Sequence, residues 1–186
     1  VTDKIVPAMV GVDIGCGMYT VYLGNIDIDF EKVDEAAHFI PCGRNVWEGR
    51  QERFDLTQLR CYRYLKDSKR LERSLGTLGG GNHFIEVDQS SDGRKFLVIH
   101  TGSRNFGQLV CKHHHDIALQ QNPYFNPDLS YLTGDEAKEY LKNMRIAQKY
   151  AQLNRKIIAD KIIQHMGWRK IDSFESVHNY IDENNI

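Results

Sequence analysis

In Pro7-Ala8-Met9-Val10-Gly11-Val12-Asp13-Ile14-Gly15-Cys16-Gly17-Met18, a carboxylate and a thiol stand three residues apart on a segment that glycines allow to curl. A thiolate binds divalent transition ions far better than a hydroxyl or an amide does, and a carboxylate three positions away completes a clamp. Asp13 and Cys16 are therefore the first two candidate ligands of a metal site, with a buried Cys beside a turn Asp as the plainer alternative.

Histidines at strand ends offer the partners. In Gly79-Gly80-Gly81-Asn82-His83-Phe84-Ile85-Glu86-Val87, alternation along a strand sends His83, Ile85 and Val87 to one face and Asn82, Phe84 and Glu86 to the other. His83 can then serve a metal while Asn82 and Glu86 serve a hydrogen-bonding ligand, which the three glycines let approach the backbone. No Gly-Lys-Ser/Thr follows these glycines and the G-x-G-x-x-G spacing is missing, which excludes P-loop and dinucleotide readings. The apolar run Phe96-Leu97-Val98-Ile99 ends at His100, and in His100-Thr101-Gly102-Ser103-Arg104 the Ser103 hydroxyl and the Arg104 fork suit an anion near a metal. His178 lies in Ser176-Val177-His178-Asn179-Tyr180, beside an amide. Asp13, Cys16, His83, His100 and His178 form a mixed N/O/S set, enough for two ions if Cys16 bridges them. The run His113-His114-His115 is set apart, because consecutive residues on a helix point about 100° from one another and cannot all clasp one ion. It is expected to be a solvated surface.

The elements that must hold these groups follow from periodicity. Residues 5–25 read as two short strands around the Asp13/Cys16 turn, with Val10 and Val12 leading in and Val21, Tyr22 and Leu23 leading out. Residues 31–75 read as mostly helical, broken by Pro41 and Gly43, and the glycine-dense loop from Gly76 to Gly81 precedes the His83 strand. The clearest helix runs from Gly134 to Met166, with Ala137, Tyr140, Leu141, Met144, Ala147, Ala151 and Ile158 on one face, a capping box of Thr133 and Glu136, and Gly167 as its stop. Asn154 falls on that apolar face, where an unpaired amide is costly, so it requires a polar partner. Residues 121–132, with Pro123 and Pro127, read as a loop.

With 186 residues, 41% of them hydrophobic, the chain can build one compact α/β or α+β domain over 1–186, and the expectation taken forward is α+β, a mixed sheet core with flanking helices. A net charge of -1 gives no global field to attract nucleic acid, so any such contact must be local. Between Arg60 and Arg73 the basic residues Arg60, Arg63, Lys66, Lys69, Arg70 and Arg73 outnumber Asp67 and Glu72 six to two, with Tyr62 and Tyr64 interleaved. Their spacing of three or four residues reads as one helix face, either a contact for an RNA backbone or a solvated stripe. The four cysteines contain no C-x-x-C pair, the first residues lack the apolar core of a secretion signal, and no run approaches the roughly 20 apolar residues that cross a bilayer. A reduced, cytoplasmic setting is the expectation.

Four blocks in order, Val12-Asp13-Ile14-Gly15-Cys16-Gly17-Met18, Gly79-Gly80-Gly81-Asn82-His83-Phe84-Ile85-Glu86, His100-Thr101-Gly102-Ser103-Arg104 and Val177-His178-Asn179-Tyr180, resemble the RtcB family of RNA ligases. The helix carrying Met144 to Ala151 and Asn154-Arg155 is similar to that family as well. The resemblance implies an RtcB-like fold and an enzyme that joins an RNA 3′-phosphate or 2′,3′-cyclic phosphate to a 5′-hydroxyl, as in joining tRNA halves, using GTP and two manganese ions. It implies that Cys16 bridges both ions, with Asp13 and His83 completing one and His100 and His178 the other. Asn82, His83, Phe84, Ile85, Glu86, His178 and Asn179 then border the guanine nucleotide, and Ser103 and Arg104 receive RNA phosphate. It also implies a partial core, incomplete at both ends, because the family's guanylate-accepting histidine lies beyond the block ending at Tyr180 and no histidine of this chain matches it. A non-catalytic metal-containing module that binds RNA ends or a partner is the alternative. Manganese rests on the resemblance alone, since residue chemistry would admit zinc, cobalt or iron equally.

Overall fold

The computed structural model describes residues 3–65 and 67–183. In chain order the elements are α1 (Pro7–Val10), β1 (Gly17–Gly24), α2 (Phe30–His38), α3 (Ser68–Arg73), β2 (Phe84–Gln89), β3 (Lys95–Thr101), α4 (Arg104–Gln121), α5 (Gly134–Met166) and β4 (Asp172–Val177), with 3-10 turns at Leu56–Gln58, Arg60–Tyr64 and Pro127–Leu129. The architecture is α+β, as expected. The four strands lie in the order β2-β3-β1-β4, and every ladder is antiparallel rather than mixed. A short turn joins β2 to β3, with the Gly93 N–H donating to the Ser90 carbonyl at φ 87°, and so compact a link can only reverse the chain.

One expected strand is a helical turn. Pro7 begins α1, where its missing N–H and fixed φ cost nothing, and Gly11 at φ 84° ends it, so Val10 does not extend toward Asp13. Among the described residues, the helices in the stretch from 31 to 75 are α2, α3 and short 3-10 turns. Pro41 and Gly43 instead run beside the glycine loop: the Leu78 N–H donates to Pro41 and the Gly43 N–H to Gly79. The basic stripe is consequently divided, with Arg60 and Arg63 in a 3-10 turn and Lys69, Arg70 and Arg73 in a helix newly capped by Asp67. Lys66 and the side chain of Tyr64 lie outside the described residues.

Helix α5 matches the sequence reading at both ends, and Gly167 stops it at φ 65°. Thr133 precedes it without a side-chain cap, because Glu136 turns away to Arg60, 2.9 Å distant, so the capping box is absent. At 33 residues the helix is about 50 Å long and serves two apolar clusters. Its first half packs Tyr140, Met144 and Tyr150 against Phe106 and Val110 of α4, and its second half packs Ile158 and Ile162 against Val21, Leu97 and Ile99 of the sheet. Asn154 and Arg155 fall between the two clusters, fully buried. Among the described residues no helix is long and apolar enough to cross a membrane.

Candidate metal centre

All five predicted ligands meet at one end of the sheet. Cys16 enters β1 from a turn that the Cys16 N–H closes onto the Asp13 carbonyl (3.0 Å). Gly15 in that turn has φ 74°, and a Cβ there would stand 2.9 Å from the backbone of Gln148. His100 is next to last in β3, His83 leads into β2, and His178 follows β4 with its N–H on the Cys16 carbonyl (3.0 Å). Cys16 Sγ lies 3.4 Å from His100 Nε2 and 3.7 Å from His83 Nε2. His100 Nε2 faces His178 Nε2 at 3.3 Å, and His83 Nε2 faces Asp13 Oδ2 at 2.8 Å. Two groups thereby form around the shared thiol, Asp13-Cys16-His83 and Cys16-His100-His178, with the donor atoms of each within 4.8 Å of one another.

Hydrogen bonds behind the rings decide which nitrogens are free to bind. His83 Nδ1 meets the Leu78 carbonyl and His100 Nδ1 the Asn82 carbonyl, both at 3.0 Å. His178 Nδ1 meets Asn179 Oδ1 at 3.0 Å, while Asn179 Nδ2 donates to the Asp13 carbonyl. Each of these oxygens only accepts, so each Nδ1 carries a proton and Nε2 is the ring nitrogen left to offer a lone pair to an ion. His100 Nε2 and His178 Nε2 confront one another, whereas His83 Nε2 meets the Asp13 carboxylate at hydrogen-bond distance, where it donates a proton that a bound ion would replace. A backbone or side-chain oxygen fixing Nδ1 so that Nε2 faces the ion is the arrangement expected around metal-ligating histidines.

The titratable groups answer to burial and to each other. Burial first, then the neighbouring Asp13 carboxylate, pushes the Cys16 thiol up to about 12. A metal ion binding there must therefore displace a proton. Burial works against ionisation of Asp13 too, yet hydrogen bonds from His83, Cys16 and the Ser103 N–H outweigh it and hold the carboxyl below its ordinary value. Burial lowers His100. Gly102 makes room for Asp13, since a Cβ there would stand 2.1 Å from Oδ1.

The remaining predicted residues surround this cluster. By register, Phe84, His100, Met18 and Ser176 form one row across the four strands, and the Phe84 ring lies 5.0 Å from that of His100. Asn82 and Glu86 are exposed nearby, whereas Ile85 turns its side chain toward the apolar cluster under the sheet and leaves only its backbone available. Ser103 corrects its expected role: it is fully buried and its N–H donates to Asp13 Oδ1 at 2.9 Å, so it supports a ligand rather than facing RNA. Arg104 begins α4 at φ 59°, a left-handed value unusual for a side chain of its size, and donates to Thr77 Oγ1 and the Gly43 carbonyl at 3.0 Å each. A Cβ at Gly79 would overlap its guanidinium. Arg104, with Asp13, Arg44, Asn45, Arg70 and Lys112, borders a cavity of about 1100 Å³ that opens beside the ligands.

The triple histidine is not solvated as expected. His114 is fully buried, its Nε2 2.8 Å from the Asn143 amide nitrogen, because α4 buries Gly107, Val110, Cys111, His114 and Ala118 at helical spacing. That spacing is visible in the sequence and would have marked it. Arg155 carried no signal of its own, but its guanidinium lies wholly inside the protein.

A sheet end that collects one thiol, one carboxylate and three imidazoles offers a candidate donor set for transition ions. A family model described as tRNA-splicing ligase RtcB matches residues 60–185, and the chain belongs to the RtcB family. It is 32% identical to the RNA-splicing ligase RtcB of Escherichia coli (strain K12) over 192 aligned residues, covering 86% of this chain and 46% of that protein. It is 28% identical to the tRNA-splicing ligase RtcB of Nanoarchaeum equitans, covering 83% of this chain and 44% of that one. The chain thus spans about half the length of the curated relatives it matches.

Proposed function

We propose that residues 1–186 form the two-metal core of an RNA ligase that joins 3′-phosphate or 2′,3′-cyclic phosphate ends to 5′-hydroxyl ends, with GTP and manganese as cofactors. The observation that carries this reading is the pair of donor groups sharing Cys16, in a chain of the RtcB family. Bound ions supply charge neutralisation and orientation to a transferred phosphoryl group. The chain's own residues divide the remaining work. Arg104, half-buried, lines the cavity beside Asp13 and would offer its guanidinium to an RNA phosphate entering there. Asn82, Phe84, Glu86 and Asn179 border the His100 side of the sheet and are assigned to the guanine nucleotide. The guanylate-accepting role is assigned to none of the histidines in these 186 residues.

Metal analysis after manganese loading tests the proposal. About two ions per chain are expected, falling to near none in Cys16→Ala, because one thiolate serves both groups; retention of both ions by that variant overturns the shared-thiol centre. Covalent labelling by α-labelled GTP of a chain extended to the relatives' full length separates the ligase from the binding module.

A further inference from the structure

The ligands come from four separate stretches of chain, and α5 touches all of them through two consecutive buried side chains. Asn154 Oδ1 accepts from the N–H groups of Gly76 and Thr77 at 2.7 and 3.1 Å, and its Nδ2 donates to the carbonyls of Thr77 and Gly102. Those bonds hold the loop that leads to His83. Arg155 is fully buried. Its Nη1 donates to the carbonyls of Gly15 (2.8 Å) and Thr101 (2.6 Å), and its Nε donates to Glu175 Oε1 (2.7 Å). Its Nη2 lies 2.7 Å from the same carboxylate oxygen but outside hydrogen-bonding alignment. Gly15 adjoins Cys16, Thr101 adjoins His100, and Glu175 lies on the strand that delivers His178.

We infer that Arg155 is the positioning residue of the Cys16-His100-His178 group, fixing the separation of its three donor atoms by tying the backbones beside Cys16 and His100, and the Glu175 side chain of the strand that leads to His178, to one rigid guanidinium. This rests on the metal-binding reading above. A planar fork with donors in fixed directions can hold three segments at set distances, whereas a lysine ammonium on a flexible stem holds a point. Removal of a partner that orients metal ligands typically costs about 10–100-fold in metal affinity. The loss falls mainly on this group, because Cys16 is the one donor it shares with the other and Asn154 holds the approach to His83 independently.

Cobalt titration of the protein tests this, with the near-ultraviolet thiolate-to-cobalt band and the visible bands reporting ligation and geometry, and thermal melting reporting the fold. In Arg155→Lys we expect one of the two cobalt equivalents to weaken at least tenfold, with altered visible bands, while the other weakens by a clearly smaller factor. Glu175→Gln frees only the β4 tether, its carboxylate being partly exposed, and is expected to weaken the same equivalent by a smaller factor at an unchanged melting temperature. If Arg155→Lys does not fold, Glu175→Gln decides. Wild-type affinities and bands in Glu175→Gln, or equal weakening of both equivalents, overturn the inference. A wild-type protein that binds no cobalt overturns the metal reading itself, which is a distinguishable result.

Discussion

Protonation of one buried imidazole places an acid limit on the stability of this fold. His114 sits between α4 and α5, its Nε2 against the Asn143 amide and its Nδ1 without a hydrogen-bond partner in the structure. Burial first, then the positive neighbours His113 and Arg60, pushes its pKa down from 6.5 to about 4. Below the unfolded value the unfolded chain takes up a proton that the folded chain refuses, so stability falls as pH falls and the loss is complete near the folded value. The depression amounts to a limiting loss of about 3 kcal/mol, of which about 2 kcal/mol is gone at about pH 5 relative to about pH 7.5. Urea unfolding followed by far-ultraviolet circular dichroism reads this directly: with a slope of about 2 kcal/mol/M, the wild-type midpoint drops by about 1 M from this residue alone. His114→Leu is less stable throughout, since Asn143 loses its partner, but its midpoint falls less on acidification. Other acid-sensitive groups, Asp13 among them, act in both proteins and cancel in the comparison. Equal acid losses in wild type and variant would refute the assignment to His114.

Two further substitutions probe the site's framework. Gly102→Ala puts a methyl group onto the Asp13 carboxylate and is expected to halve the manganese content, sparing the Cys16-His100-His178 ion; full content by elemental analysis contradicts this. Asn154→Leu leaves the buried N–H groups of Gly76 and Thr77 unpaired and should cost about 2–6 kcal/mol in urea unfolding, at about 1–3 kcal/mol for each of the two, so a cost under about 1 kcal/mol would contradict it.

What could be read in advance depended on whether side chains carried the information. The bounds of α5 followed from apolar spacing and a stopping glycine, and the polar partners of Asn154 followed from the cost of burying an amide. The five metal-ligand candidates were legible from residue type at strand ends. Their division into two groups was legible only through family resemblance. The partners that orient the rings of His83 and His100 are the carbonyls of Leu78 and Asn82, groups that every residue possesses, so no residue type could announce them. The basic residues from Arg60 to Arg73 showed helical spacing, yet Asp67 began a new helix and broke the stripe. Local capping chemistry overrode the pattern. Ser103 was read as facing an anion and Arg155 only as part of a family-like helix; tertiary packing buries both, and charge and hydroxyl give no signal of that.

The placement of β1 bears on how the chain can be made. It pairs on one side with Lys95–Thr101 and on the other with Asp172–Val177, both synthesised long after it. On a ribosome, β1 therefore emerges with two open edges, keeps one open until the last strand is out, and waits with its apolar residues Val21 and Leu23 unburied. The nascent chain is most exposed to misassembly during this interval. An ion at the Cys16-His100-His178 group could not shorten it, because His178 follows the strand that ends it.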